Sequence, residues 1–548
     1  MKQFLLLATT SLMALVIQAQ PVGMGDNTTA ADYAKVLKAP DRATRDLTNL
    51  PASWSLKKYT PTPMTQSTYG TCVAWSAGYA ARTISYAIQR RMTNKDSINK
   101  YAFSPGYLYY KIKNPSDVNC SKGSNILQAM GEMSKVGIVL KSEGIADCVG
   151  SISENMERLK ASPYKIKDFL SICDNFENIT KNDILKMKKS LTENKPVVVS
   201  FKVYTSFYTL PLTGLWTPTD NDRYLAGHGM CIVGYNDTLA GGAFEVMNSW
   251  GNDWANGGFA WITYKQMMKY GNYAVELMDV EVIQPVEPVK PVEPMKPKDP
   301  PVKPKDPPVK PKDPPVKPVE PPVKPVEPPV KPVEPPVKPV EPPVKPVEPP
   351  VKPVEPEVKL KLSGNMEFIK LDGSIMPVSR AKVNTRSIIV EDDDKADYSL
   401  YKFTETYTGG MAFKIKFSTN APCYIYVFGE DEKDVVSRLF PYNATVSAAI
   451  NSSNATYYLP SETKHARLSN GYGKENICVL YSKTAIDFEG LMDYISNSNS
   501  SIYQGVKDLL GNRVLDIKKV KFEDDKIAFE APAEDKSVLC FFIELEHN

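Results

Sequence analysis

The stretch "QSTYGTCVAWSAGYAA" (66–81) puts Cys72 where a glycine-bearing loop turns into a run of small residues that predicts a helix. A cysteine in such a helix most often serves as a small buried hydrophobe. Three features favour a nucleophile. A thiol at a helix N-terminus faces unpaired N–H groups and the positive end of the dipole, which lower its pKa. Gly70 and Thr71 leave the approach to the sulfur open. Finally, residues 30–283 contain a single histidine, His228, placed just before the apolar run "MCIVGY". A lone histidine at a strand end also reads as a surface or satisfied polar residue. Further on, "FEVMNSWGNDWANGGFAWI" (244–262) ends an apolar strand at Asn248, beside Trp250. An asparagine can hold an imidazole in one tautomer without taking its proton, and a tryptophan can cover that hydrogen bond.

Metal chemistry has little to work with. The cysteines at 72, 120, 148, 173, 231, 423, 478 and 540 include no CxxC pair, and the histidines are only 228, 465 and 547. No metal and no cofactor is expected. His465 and His547 are expected at the surface, and Cys231, inside an apolar strand, as a buried free thiol.

The elements that must position the cysteine, histidine and asparagine read as helices first (72–91, 124–136). Antiparallel-looking strands follow: "KPVVVSFKVY" (195–204), "MCIVGYND" (230–237), "GAFEVMNSW" (242–250) and "GFAWITY" (258–264). That order predicts an α+β domain in two halves. Beyond residue 358, "MAFKIKFST", "CYIYVFGED", "ENICVLYS" and "SVLCFFIEL", with one helical stretch around 485–510, predict a second, β-rich α+β domain.

With these motifs assembled, the chain resembles the papain-like cysteine peptidases over roughly residues 50–283. The family's Gln, then Gly-x-Cys-x-Ala-aromatic-Ser, is matched by Gln66, Gly70, Cys72, Ala74, Trp75 and Ser76. Its histidine segment is matched by "GHGMCIVGY" (227–235) and its Asn-Ser-Trp-Gly segment by "NSWGNDWANGG" (248–258). The resemblance implies a two-lobed fold, helical on the left and β-rich on the right. It implies Cys72 as nucleophile forming a thioester acyl-enzyme, His228 as base and later acid, and Asn248 as its orienter. The Gln66 amide, with the Cys72 N–H, would form the oxyanion hole. It implies further that "CSKGS" (120–124) pairs with substrate backbone through Gly123 and Ser124, with Gly227 and Trp250 also lining the binding cleft. The chain departs from the family where Tyr69 replaces a cysteine that usually bridges to the position of Cys120, and a Cys120–Cys148 bridge is expected instead. The long inhibitory propeptide of many relatives does not fit ahead of residue 50, so any latency must come from a short N-terminal segment or another protein.

The remaining organisation follows from composition. With 548 residues, two or more folded units are expected. Residues 1–19 have the basic start and apolar run of a signal peptide, which predicts an exported protein with no membrane span in its mature form; a bacterial source is what the resemblance of the last unit, below, implies. Its destination would be periplasmic, cell-surface or extracellular. Residues 20–49 form a short N-terminal segment, and 50–283 the peptidase-like domain. The span 284–358 repeats "PPVKPVE" and holds about 30 of the 46 prolines. It predicts a disordered, polyproline-II linker without helix or sheet, whose ~70 residues reach on the order of 200 Å. The last unit, 359–548, resembles a domain of unknown function found in exported bacterial proteins and is expected to bind a cell-surface or protein partner. A net charge of +3 argues against nucleic acid as a partner. The expected activity is that of a monomeric cysteine endopeptidase acting on protein or peptide. The alternatives are a catalytically inactive peptide-binding or surface protein of the same fold, and an exopeptidase or transpeptidase using the same dyad.

Overall fold

The computed structural model describes residues 24–41, 43–145, 151–279, 361–381, 398–431, 435–498, 501–532 and 537–548. The expected signal peptide, the proline-rich linker and Cys148 lie outside the described residues.

The first region is α+β. Its central helix begins at Cys72, winds as a π-helix over Trp75–Arg82 and continues as an α-helix over Thr83–Gln89. Small residues are needed along it because it is packed on all sides. A Cβ on Gly78 would stand 2.8 Å from Ile138 Cδ1 and 2.9 Å from Leu108 Cδ2. Pro105–Ile112, N-capped by Ser104, and Ile126–Lys135, N-capped by Asn125, complete the helical half around Leu108, Met130 and Met133.

The β half is an antiparallel sheet. Its strands are β1 (Ser53–Ser55), β2 (Asp168–Ser171), β3 (Val197–Tyr204), β4 (Tyr224–Asn236), β5 (Ala243–Met247), β6 (Phe259–Thr263) and β7 (Gly271–Met278). They run in the order β2-β7-β3-β4-β5-β6, with β1 on β4. β4 lies at the middle, buried from His228 to Tyr235, and its register sets Phe201 opposite His228 and Ser200 opposite Gly229. This buried strand carries the histidine towards the helix that carries the cysteine. Cys231 is a buried free thiol within it.

The second region is a two-sheet sandwich with helices on one outer face. Its clearest signal is the run Cys423–Glu430, which alternates between two cores. Cys423, Ile425 and Val427 face the sandwich core with Phe417, Val479 and Phe541. Tyr424, Tyr426 and Phe428 face the helices Phe488–Asn497 and Ile502–Leu510. The single helical stretch expected around 485–510 is thus two helices. His547 is not the surface residue expected. It is 1 % exposed, bonded through Nδ1 to Gly471 O at 2.7 Å and through Nε2 to Ser469 Oγ at 3.2 Å, and closes the end of its strand.

The two regions touch. Leu170 of β2 and Met278 of β7 join the apolar cluster of Tyr424, and the Tyr424 hydroxyl donates to Asp168 Oδ2 at 3.0 Å.

Candidate active site

Cys72, His228, Asn248 and Gln66 converge where the helix N-terminus meets β4 and the end of β5. The Gly229 N–H points at Cys72 Sγ from 3.5 Å, which brings the thiol to the backbone next to His228. This approach requires a glycine at 229, because a Cβ there would lie 2.8 Å from Ser76 Oγ. His228 Nε2 is 2.7 Å from Asn248 Oδ1, and the same oxygen accepts the Ser249 N–H at 2.8 Å. A backbone N–H can only donate, so the atom facing the imidazole is the amide oxygen and Nε2 carries the proton. Nδ1 is left with its lone pair, buried and without a hydrogen-bond partner. Trp250 covers the pair, its ring centroid 5.0 Å from that of His228, and Tyr208 stacks on Trp250 at 5.1 Å.

The Gln66 amide is held from both ends. Its Nε2 donates to Tyr69 O at 2.7 Å, and its Oε1 accepts from Ser249 Oγ. Ser249 therefore fixes two site side chains, Asn248 through its N–H and Gln66 through its hydroxyl. Sequence reasoning passed over it, although it stands inside "NSWG". It also passed over Asp117, which is fully buried. Asp117 accepts from the Tyr109 hydroxyl at 2.6 Å and from the Ser121 and Lys122 N–H groups at 3.1 and 3.2 Å, shaping the loop that ends at Gly123 and Ser124. Cys120, in that loop, is disulfide-bonded. Its expected partner, Cys148, is among the residues not described.

The cleft is filled by the chain's own N-terminal segment. Ser124 N–H donates to Gly25 O at 2.7 Å, Asn27 N–H to Ser124 O at 3.0 Å, and Asp26 N–H to Gly227 O at 3.1 Å. Gly123, Ser124 and Gly227, expected to hold substrate, thus hold residues 25–27. Gly25 passes where nothing larger fits, since a Cβ on it would lie 2.6 Å from both Gly123 Cα and Gly70 O. The Asp26 carboxyl, buried against Ser200, Thr28 and the Ile126 N–H, is held above its ordinary pKa by that burial. The segment bridges Ser124 in parallel. Its Gly25 carbonyl is spent on Ser124 while the Gly25 backbone also hydrogen-bonds the thiol. A peptide held this way offers Cys72 an N–H rather than a carbonyl carbon.

This cover reverses the expected electrostatics. Cys72 is 0 % exposed, and burial pushes its thiol up to about 12, past the opposing hydrogen bonds from backbone N–H groups. Burial likewise brings His228 down to about 4, which the Asn248 bond only partly offsets. The lowered thiol pKa expected at a helix N-terminus is therefore not what this structure holds. Desolvation outweighs the dipole, and both groups are neutral.

Residues 65–277 match the family model described as papain family cysteine protease, and residues 406–485 match a domain of unknown function, DUF4384. The chain is 25% identical over 214 residues to an uncharacterized peptidase C1-like protein of Acanthamoeba polyphaga mimivirus, covering 36% of this chain and 63% of that protein. It is 29% identical over 107 residues to cysteine protease 1 of Oryza sativa subsp. japonica, covering 19% of this chain and 21% of that protein. The chain thus spans less than two thirds of either relative. Among solved structures it is similar to xylellain, a cysteine protease from Xylella fastidiosa. That match has 22% identity and a TM-score of 0.38, and covers 47% of this chain and 96% of that one. It is also similar to procathepsin B S9 from Trypanosoma congolense, with 18% identity and a TM-score of 0.36, covering 47% of this chain and 86% of that one.

Proposed function

We propose that the papain-type domain of this chain is an exported cysteine endopeptidase, latent while residues 24–28 fill its cleft. In the open cleft, His228 Nδ1 takes the Cys72 proton, and the thiolate attacks the carbonyl carbon of the scissile peptide bond. The negative charge that develops on the carbonyl oxygen is met by the Cys72 N–H and the second amide hydrogen of Gln66. Collapse breaks the C–N bond, His228 returns the proton to the leaving amine, and a thioester remains. Water, deprotonated by His228, then releases the acid and restores the thiol. Asn248 keeps Nε2–H pointing away from the sulfur throughout. Peptide is the substrate that the backbone of Gly123, Ser124 and Gly227 suits, because they already bind an extended chain of this molecule.

The observation that carries this reading is the Asn248 oxygen, fixed by Ser249, which leaves one nitrogen of the His228 imidazole unprotonated on the residue next to Gly229, whose N–H points at Cys72 Sγ. The test is hydrolysis of a mixed peptide library and labelling by an epoxysuccinyl thiol inhibitor, after residues 1–28 have been removed by limited proteolysis. We expect turnover and labelling at Cys72, both lost in Cys72→Ala. Equal turnover by wild type and Cys72→Ala would reject it. Stepwise loss of terminal residues in the products would mark an exopeptidase instead.

A further inference from the structure

The segment that fills the cleft continues to a second place of attachment. Lys38 forms parallel bridges on both sides, to Ser171 of β2 and to Val446 of the C-terminal region. Its N–H donates to Thr445 O at 2.9 Å, and its carbonyl accepts the Ser447 N–H at 2.9 Å. On the other side Ala39 N–H donates to Ser171 O at 2.9 Å. Further along, Ala43 N–H donates to Thr456 O at 2.9 Å, and Thr456 N–H returns a bond to Asp46 Oδ2 at 2.7 Å. Residues 37–39 are thus an extended piece of chain gripped between β2 and Thr445–Ser447, and Ala43 and Asp46, at the start of the helix Thr44–Thr48, reach Thr456.

That stretch is itself anchored on the peptidase-type region. Asn451 Nδ2 donates to the buried Glu276 Oε1 at 3.0 Å, and Ser452 Oγ donates to Glu193 Oε2 at 2.6 Å. Between grip and cleft the chain has little slack. Thr29 and Asp32 form a capping box on Ala30–Tyr33, and the Tyr33 hydroxyl is buried on Cys173 O at 2.5 Å.

We propose that Thr445–Ser447 and Thr456 of the C-terminal region are a holding surface whose partner is a segment of this same chain, the extended residues 37–39 with Ala43 and Asp46 beyond them. Through this hold the region of unknown function keeps the peptidase cleft closed. The proposal rests on the latency reading above. The seat at 25–27 consists of three backbone hydrogen bonds, the Gly25 bond to the thiol and those of the Asp26 carboxyl, all exchanged against water, and bonds of that kind each give only modest net stability. A segment so held opens often unless its departure is made intramolecular by an anchor nearby. Lys38 is that anchor, and both of its backbone hydrogen bonds come from the C-terminal region.

The test uses the full chain and reads the rate at which the epoxysuccinyl inhibitor labels Cys72, with melting curves as a check on folding. Ser447→Pro removes the N–H that holds the Lys38 carbonyl, and Ala43→Pro removes the one that reaches Thr456. Asp46→Ala, a milder change, deletes one acceptor and serves where a proline variant does not melt cooperatively. Gly25→Val unseats the segment directly and sets the rate of the open cleft. We expect Gly25→Val to label fast and the grip variants to rise by about tenfold towards it. Folded grip variants that label at the wild-type rate, beside a fast Gly25→Val, would overturn the holding role alone. A Gly25→Val that labels no faster than wild type would overturn the latency reading and the holding role with it.

Discussion

Cys72 and His228 are both uncharged in the closed cleft, the thiol raised to about 12 and the imidazole lowered to about 4. Opening lets a proton pass from one to the other, so between those values the pair itself takes up or loses no net proton. The pH dependence of opening then falls to Asp26. Its carboxyl is raised by burial, so protonation favours the closed state. That contribution is fully present below the ordinary value of 3.8 and is lost as pH rises through the raised one. Hydrogen exchange at the Gly25 and Asp26 amides, corrected for intrinsic rate, should show more protection at pH ~4 than at ~7. Asp26→Asn should flatten the difference. In the opened enzyme, Gln66→Ala should lower kcat by about 10²–10³ with little change in KM, because its amide meets charge that exists only in the transition state. The motifs that carry Cys72, His228, Asn248 and Gln66 were legible in the sequence because they are local. The direction of the Cys72 shift was not, because it is set by burial among distant parts of the chain, and the hydrogen bond from Gly25, which carries no motif of its own, only partly opposes it.

At the scale of elements, the sheet strands and the helices at 72–89 and 126–135 were readable from periodicity and small residues. The alternation in Cys423–Glu430 even encodes two cores at once. Hidden from such reading was the π-wound turn over Trp75–Arg82, where the same residue types would serve an α-helix equally well. Phe541 sits in the sandwich core, 0 % exposed, against Tyr481 and Phe529. Phe541→Ala should destabilise this region by about 3–5 kcal/mol, measured by denaturant unfolding. Gly229→Ala brings a methyl against Ser76 and should displace the helix from β4. Its expected cost is ~1–3 kcal/mol in stability, with turnover of the opened enzyme falling alongside.

For the molecule as a whole, the docking of the two regions could not be read from the chain. Leu170, Met278 and Tyr424 are ordinary apolar positions in their own strands, and nothing in their spacing says that they face each other. The capped turn Ala30–Tyr33 and the grip at Lys38 set how far the cleft-filling residues can stray once they leave. Only twelve positions separate Asp26 from Lys38. A short tether of that kind keeps its end at an effective concentration in the mM range around the cleft, whatever the dilution of the protein. A substrate therefore meets a competitor that cannot be diluted away. The apparent KM of the intact chain should exceed that of the processed one, while kcat at saturation is the same.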